Sequence, residues 1–175
     1  MTAVDVHKAA WAHITKGAPC GERPFLFDFR FVNGKPFILS RPLSESSPLG
    51  QDRGYRLVVR LAPVRRSRQN RKIVERFVGE DQILPWTTAL LARHGLRLEH
   101  VHQMAWESLD LGKPTGKRHR RHILRTALLS FDAVVVDADL AARAWGHGIG
   151  RHRAWGCGTL VLKRESCAGA MSLAS

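Results

Sequence analysis

The sequence predicts an α+β protein built from two successive units with antiparallel sheets. Three observations point there. Alternating, β-rich segments separated by Gly, Pro and Asn fill much of the 175 residues. Few segments space their apolar residues as a helix does. From about residue 55 onward the elements run strand, helix, strand, strand, helix, strand.

Each element has a local reason. Val4 to Ile14 reads as a helix, with Val6, Ala9, Ala10 and Ile14 on one face and Trp11 beside them. Gly17-Ala18-Pro19-Cys20-Gly21 breaks it. Pro24 to Val32 is a strand that puts Phe25, Phe27, Phe29 and Phe31 on one side. Asn33-Gly34 is a hairpin turn signal, and Lys35 to Ser40 returns as the second strand. Residues 41–53 are rich in Pro, Ser and Gly and read as a loop. Tyr55 to Leu61 is a third strand, ending at Pro63 in a basic run.

The second unit is expected to begin near Gly79, where Asp81 to His94 carries helical spacing up to Gly95. Leu96 to Leu109 is extended, and Gly112 to Arg121 reads as a basic hairpin tip. His122 to Phe131 and Ala133 to Val136 read as two strands joined by a short turn. Asp137 to Trp145 is a helix that Asp137 or Asp139 can cap. Thr159 to Lys163 closes the unit as a strand. With a first strand near Tyr55 this is βαββαβ, the ferredoxin-like (RRM-like) pattern of four antiparallel strands with two helices on one face. The first half reads as an incomplete copy, with its first strand absent or shortened. The expected organisation is therefore two tandem ferredoxin-like units, 1–78 and 79–164, and a loose tail, 165–175.

Charge narrows the function. Lys and Arg number 28 against 15 Asp and Glu, a net charge of +13, spread through the folded segments. Such an excess attracts polyanions, and arginine donates two parallel hydrogen bonds to phosphate. No run reaches the roughly 18 apolar residues of a membrane span, so a soluble nucleic acid is preferred over a membrane. Cys20, Cys157 and Cys167 form no CxxC pair and no zinc spacing. An odd cysteine number without a signal peptide points to the cytoplasm. No metal-ligand cluster and few neighbouring carboxylates are present, which argues against a two-metal nuclease, and no cofactor is expected.

Three basic segments are candidate RNA contacts. Gly148 to Gly158 joins Gly148, Gly150, Arg151, His152, Arg153 and Trp155 between a helix and a buried strand. Its glycines allow positive φ and close backbone approach, and its N–H groups can form an anion nest; a plain helix-to-strand connection is the alternative. The run Arg65, Arg66, Arg68, Arg71 and Lys72 follows a strand, as a solvated loop or as phosphate contacts. The third cluster, Lys113, Lys117, Arg118, Arg120 and Arg121, sits at the expected hairpin tip. Among nine histidines, His7 precedes Trp11 on the first helix, His94, His100 and His102 read as structural or surface residues, and His147 and His152 bracket the glycine loop.

Together these residues resemble the CasE family, the CRISPR-RNA endoribonucleases of type I-E systems. Val6-His7-Lys8-Ala9-Ala10-Trp11 with Arg23-Pro24-Phe25-Leu26-Phe27 resembles the family's histidine helix and following strand. Gly148 to Leu162 resembles its C-terminal glycine motif, and Tyr55 to Pro63 its strand leading into a basic loop. The resemblance implies binding of the CRISPR repeat hairpin and metal-independent cleavage at the hairpin's 3′ base. The 2′-OH attacks the phosphate, leaving a 2′,3′-cyclic phosphate and a 5′-OH. It implies His7 as the catalytic residue, with Lys8 or Arg23 beside the charge. It also implies a product-bound role, as a subunit holding the mature crRNA among other subunits of the interference complex. A divergent type IV relative shares the fold. Val4 stands where the family often has a tyrosine, so a non-catalytic hairpin-binding subunit is an alternative. A basic RNA-binding protein outside CRISPR is another. The shortened start is also what a miscalled start codon would produce.

Overall fold

A computed structural model describes residues 3–15, 25–32, 35–69, 72–111 and 123–163. Helix α1 (Ala3–Thr15) precedes strands β1 (Phe25–Val32) and β2 (Lys35–Pro42). These pair antiparallel from Phe25↔Pro42 to Val32↔Lys35; Asn33-Gly34 lies outside the described residues. Strands β3 (Gly54–Leu61), β4 (Val64–Gln69) and β5 (Lys72–Phe77) follow, then helix α2 (Ile83–Ala92). Strands β6 (Leu96–Asp110) and β7 (Ile123–Val135), helix α3 (Ala138–His147) and the short β8 (Val161–Leu162) complete the order.

The main sheet is antiparallel with order β6-β7-β3-β8. With the β4–β5 pair inserted after β3, the order β3-α2-β6-β7-α3-β8 is the βαββαβ arrangement the sequence predicts. β3 thus lies in the second unit's sheet although it precedes residue 79. The first unit does not gain it as a third strand, because β3 pairs along one edge with β7 and along the other with β8. Leu57, Val59 and Leu61 are buried on one face, Val58 and Arg60 on the other, as suits a central strand.

Two other expectations change. The chain from Ile123 to Val135 is one strand, without the turn expected at Asp132. The Asp132 carboxylate accepts from Arg56 Nε at 3.0 Å and lies 2.6 Å from His102 Nε2, so its polar groups are met within the sheet. Hydrogen bonds from Arg56 and then from His102 hold that carboxyl below the usual carboxylate range. Within the basic run, residues 65–69 lie in β4, not in a loop, Lys72 begins β5, and the two strands pair from Val64↔Phe77 to Gln69↔Lys72.

Two cores form. Leu57, Leu61, Leu129 and Phe131 meet Ile83 and Leu91 of α2 and Ala141 and Trp145 of α3. Asp137 caps α3, accepting from the Leu140 N–H at 2.9 Å. In the second core Val6 and Ala10 of α1 meet Phe25, Phe27 and Phe29, as their alternation predicts. This core also takes Leu109, Leu124 and Cys157, so it spans both units.

Two buried arginines fasten the units. Arg60 of β3 donates to Asp28 Oδ1 at 3.2 Å and to the Phe29 carbonyl at 2.6 Å, and pairs with Glu107. Arg41 of β2 donates to the Leu160 carbonyl at 2.9 Å and to the Trp145 carbonyl, and stacks 3.7 Å from the Trp145 ring centroid. Among the described residues no helix is long and apolar enough to cross a membrane.

Candidate nucleic-acid interface

The glycine segment is first of all a device for close backbone approach. Gly148, Gly150, Gly156 and Gly158 all have positive φ. The Ile149 N–H donates to the Gly158 carbonyl at 2.8 Å, and the Gly158 N–H donates to the Arg60 carbonyl at 2.6 Å. A Cβ on Gly158 would stand 1.9 Å from the Ile149 carbonyl oxygen. One on Gly148, which is buried, would stand 3.0 Å from the Gly158 oxygen. The chain approached here is the protein's own. Gly156 backs onto Phe29, where a Cβ would lie 2.9 Å from Cδ1. Gly156→Ala is therefore expected to cost about 2 kcal/mol in urea unfolding, through φ strain and overpacking.

These turns present residues 150–155 outward and bring the two ends of the chain together. A 3-10 turn, Arg153–Trp155, carries Trp155 against α1. The half-buried His7 ring lies 5.5 Å from Trp155, 5.9 Å from Phe27 and 6.0 Å from Trp11, centroid to centroid. Those are ordinary aromatic contact distances, so the imidazole is oriented by packing on three rings. Lys8 is exposed on the same helix.

The other end of that turn opens on a cleft of about 1260 Å³ between the β4–β5 hairpin, α2 and the glycine segment. Arg65, Arg66, Arg93, Arg151 and Arg153 line it, with Gly148, Gly150, Trp86 and His94. Two of the basic segments singled out in the sequence thus share one cavity. Burial first, then the charges of Arg93 and Arg153, lower the His94 pKa, so His94 offers hydrogen bonds more than charge. Arg153 also donates to the His147 carbonyl at 2.7 Å, at the end of α3.

Strand alternation sorts the hairpin cations. Arg65, Lys72 and Arg76 share one face, with Arg65 directly opposite Arg76. Like charges so placed repel, and a phosphate laid over them relieves the repulsion. Arg66 and Arg68 share the other face with Glu75. Glu75 accepts from Arg66 Nε at 2.7 Å and lies 3.6 Å from His152 Nε2. The Arg66 hydrogen bond leads in holding the Glu75 carboxyl below its ordinary range, with His152 and Arg151 adding to it. Cys157 is buried, and desolvation pushes its thiol up to about 12, so it packs as an apolar residue.

Arg23, Arg71, Lys113, Lys117, Arg118, Arg120 and Arg121 lie outside the described residues. Sequence reasoning missed Arg76, Arg93 and Trp86, and it read His94 as structural or surface. Arg76 follows from extending the hairpin's alternation past Lys72. Arg93 and His94 end a helix, where cations are common for reasons of the helix dipole, so nothing local marked them.

A family model described as CRISPR associated protein matches residues 7–164. The chain belongs to the CRISPR-associated protein family. Solved CRISPR-associated structures share its fold. The chain is similar to CRISPR endoribonuclease Cse3 bound to a 19-nucleotide RNA, with 18% identity and a TM-score of 0.72, covering 93% of this chain and 90% of that one. It is similar to Cas6e from Escherichia coli K-12, with 18% identity and a TM-score of 0.68, covering 92% and 91%. It is also similar to a chain of a CRISPR RNA-guided surveillance complex, with 20% identity and a TM-score of 0.60, covering 92% and 89%. No curated protein matches the chain in sequence. For this CRISPR-associated protein the fold class read from the sequence, α+β with antiparallel sheets and two tandem ferredoxin-like units, holds.

Proposed function

We propose that this CRISPR-associated protein binds the repeat hairpin of the precursor transcript, cleaves at the hairpin's 3′ base and stays on the product as a subunit of the guide-RNA complex. The observation that carries the reading is one 3-10 turn, which touches His7 through Trp155 and lines the arginine cleft through Arg153. Cations that grip phosphate and an imidazole that moves protons are thereby held by the same few residues. The similar Cse3 is an RNA-bound endoribonuclease, and another similar chain belongs to a surveillance complex, which supports both halves of the reading.

In the proposed reaction the 2′-OH attacks the adjacent phosphate, and the 5′ oxygen of the next nucleotide leaves. His7 transfers a proton at one of these oxygens, while nearby cations balance the crowded phosphorane. The products are a 2′,3′-cyclic phosphate and a 5′-OH, and the work is done in the cytoplasm with the transcript.

Incubating the protein with repeat-hairpin RNA in EDTA tests this. Cleavage with a cyclic-phosphate end is expected. Tight binding with no cutting under any metal condition selects the second reading, a hairpin-holding subunit, which Val4 in the place of the tyrosine favours. Binding should weaken steeply with salt. Arg151→Ala is expected to lower affinity for every RNA alike and to flatten the log K against log salt slope by about one. An unchanged slope would take Arg151 out of the phosphate contacts.

A further inference from the structure

Glu75 is an acid set among the cations of the proposed RNA surface. By itself it opposes a polyanion, since it subtracts from the field that draws RNA in. Its geometry gives it a different use. One carboxylate oxygen takes Arg66 Nε at 2.7 Å, within the hairpin. The other lies 3.6 Å from His152 Nε2, in the glycine segment. Arg66 and Arg151, the neighbour of His152, line the arginine cleft from those two walls. His152 itself holds a left-handed backbone, φ 58° and ψ 28°, which is uncommon for a non-glycine residue. A single side chain therefore spans from the β4–β5 hairpin to the turn that carries Arg151 and Arg153.

We propose that Glu75 is a positioning residue that ties the hairpin to the glycine segment, fixes the spacing of the cleft's two arginine walls, and so makes the site selective for a paired RNA stem over unstructured RNA. This rests on the RNA-binding reading above. A fixed spacing matches the regular phosphate rows of a duplex, whereas a flexible single strand adapts to walls at any spacing. Glu75 lowers general attraction and raises discrimination.

The test uses the full chain and three forms: wild type, Glu75→Gln and Glu75→Asp. Affinities are measured at one salt concentration for the repeat hairpin and for an oligouridylate of equal length. Hydrogen exchange across 149–158 is followed in the free protein. Glu75→Gln is expected to bind the hairpin about fivefold more weakly and oligouridylate at least as tightly as wild type, with faster exchange in the glycine segment. Glu75→Asp keeps the charge but shortens the reach, and is expected to lose discrimination as Glu75→Gln does. Parallel tightening for both RNAs in Glu75→Gln, with exchange unchanged, would overturn the proposal and leave Glu75 a bare charge. Wild-type discrimination in Glu75→Asp would overturn it as well. If wild type fails to prefer the hairpin, the RNA reading falls on that measurement alone. Exchange then decides the tie: acceleration in both variants upholds it, and no change removes it.

Discussion

Replacing His7 by alanine is expected to slow hairpin cleavage by roughly 10²- to 10⁴-fold, the usual worth of a positioned proton-transfer group. Hairpin affinity is expected to stay within a few-fold. The imidazole packs on Trp155, while the proposed phosphate contacts, Arg65, Arg66, Arg93, Arg151 and Arg153, line a cleft that His7 does not. Its packing makes the experiment readable. The ring contacts Trp11, Phe27 and Trp155, while Val6 and Ala10 of the same helix carry the burial in the core. The variant should melt close to wild type, so lost cutting reports on chemistry. Single-turnover cleavage in EDTA, beside filter binding of the same RNA, separates the two effects. Full activity in His7→Ala would end the catalytic assignment.

Arg60→Leu is expected to destabilise the fold by about 3–5 kcal/mol, because it leaves the Asp28 carboxylate buried without its cation. Arg60 and Asp28 are 2% and 3% exposed, so little water reaches either. Glu107 and the Phe29 carbonyl lose a donor as well. The double variant Asp28→Leu with Arg60→Leu should be less destabilised than Arg60→Leu alone, since no unpaired charge remains. Urea unfolding of the four proteins measures this. Burial raises the Asp28 pKa, and Arg60 opposes that rise. Removing Arg60 raises it further. A carboxyl raised in the folded state favours folding in its protonated form. That stability is present below its unfolded pKa and is lost as pH rises through the folded one. The deficit of Arg60→Leu should therefore narrow on acidification. An equal deficit in single and double variants would show that packing, and not the stranded charge, sets the cost.

Much of the local structure is legible in the chain. The Phe25, Phe27, Phe29 alternation, the inward spacing of Val6, Ala10 and Ile14 and the cap at Asp137 depend on near neighbours and are present, while Ala9, expected on the same helix face, is exposed. The errors fall where distant partners decide. Asp132 looks like a turn residue until Arg56 and His102, from two other strands, satisfy its carboxylate. Residues 65–69 look like a solvated run until the chain from 72 to 77 pairs with them, with Glu75 opposite Arg66. Arg60 and Arg41 carry the same charge as the surface arginines, and nothing in their neighbours marks them as buried.

By itself the sequence determines the α+β class, the basic character and the three segments, near His7, after Leu61 and at Gly148–Gly158, that carry the candidate chemistry. These follow from residue type and spacing, which are local properties. The tertiary structure alone decides that Trp155 meets His7, and that Arg93 and His94 enter the same cleft as Arg65 and Arg151. Those pairings arise from burial and hydrogen bonding between residues far apart in the chain, and no local pattern encodes them.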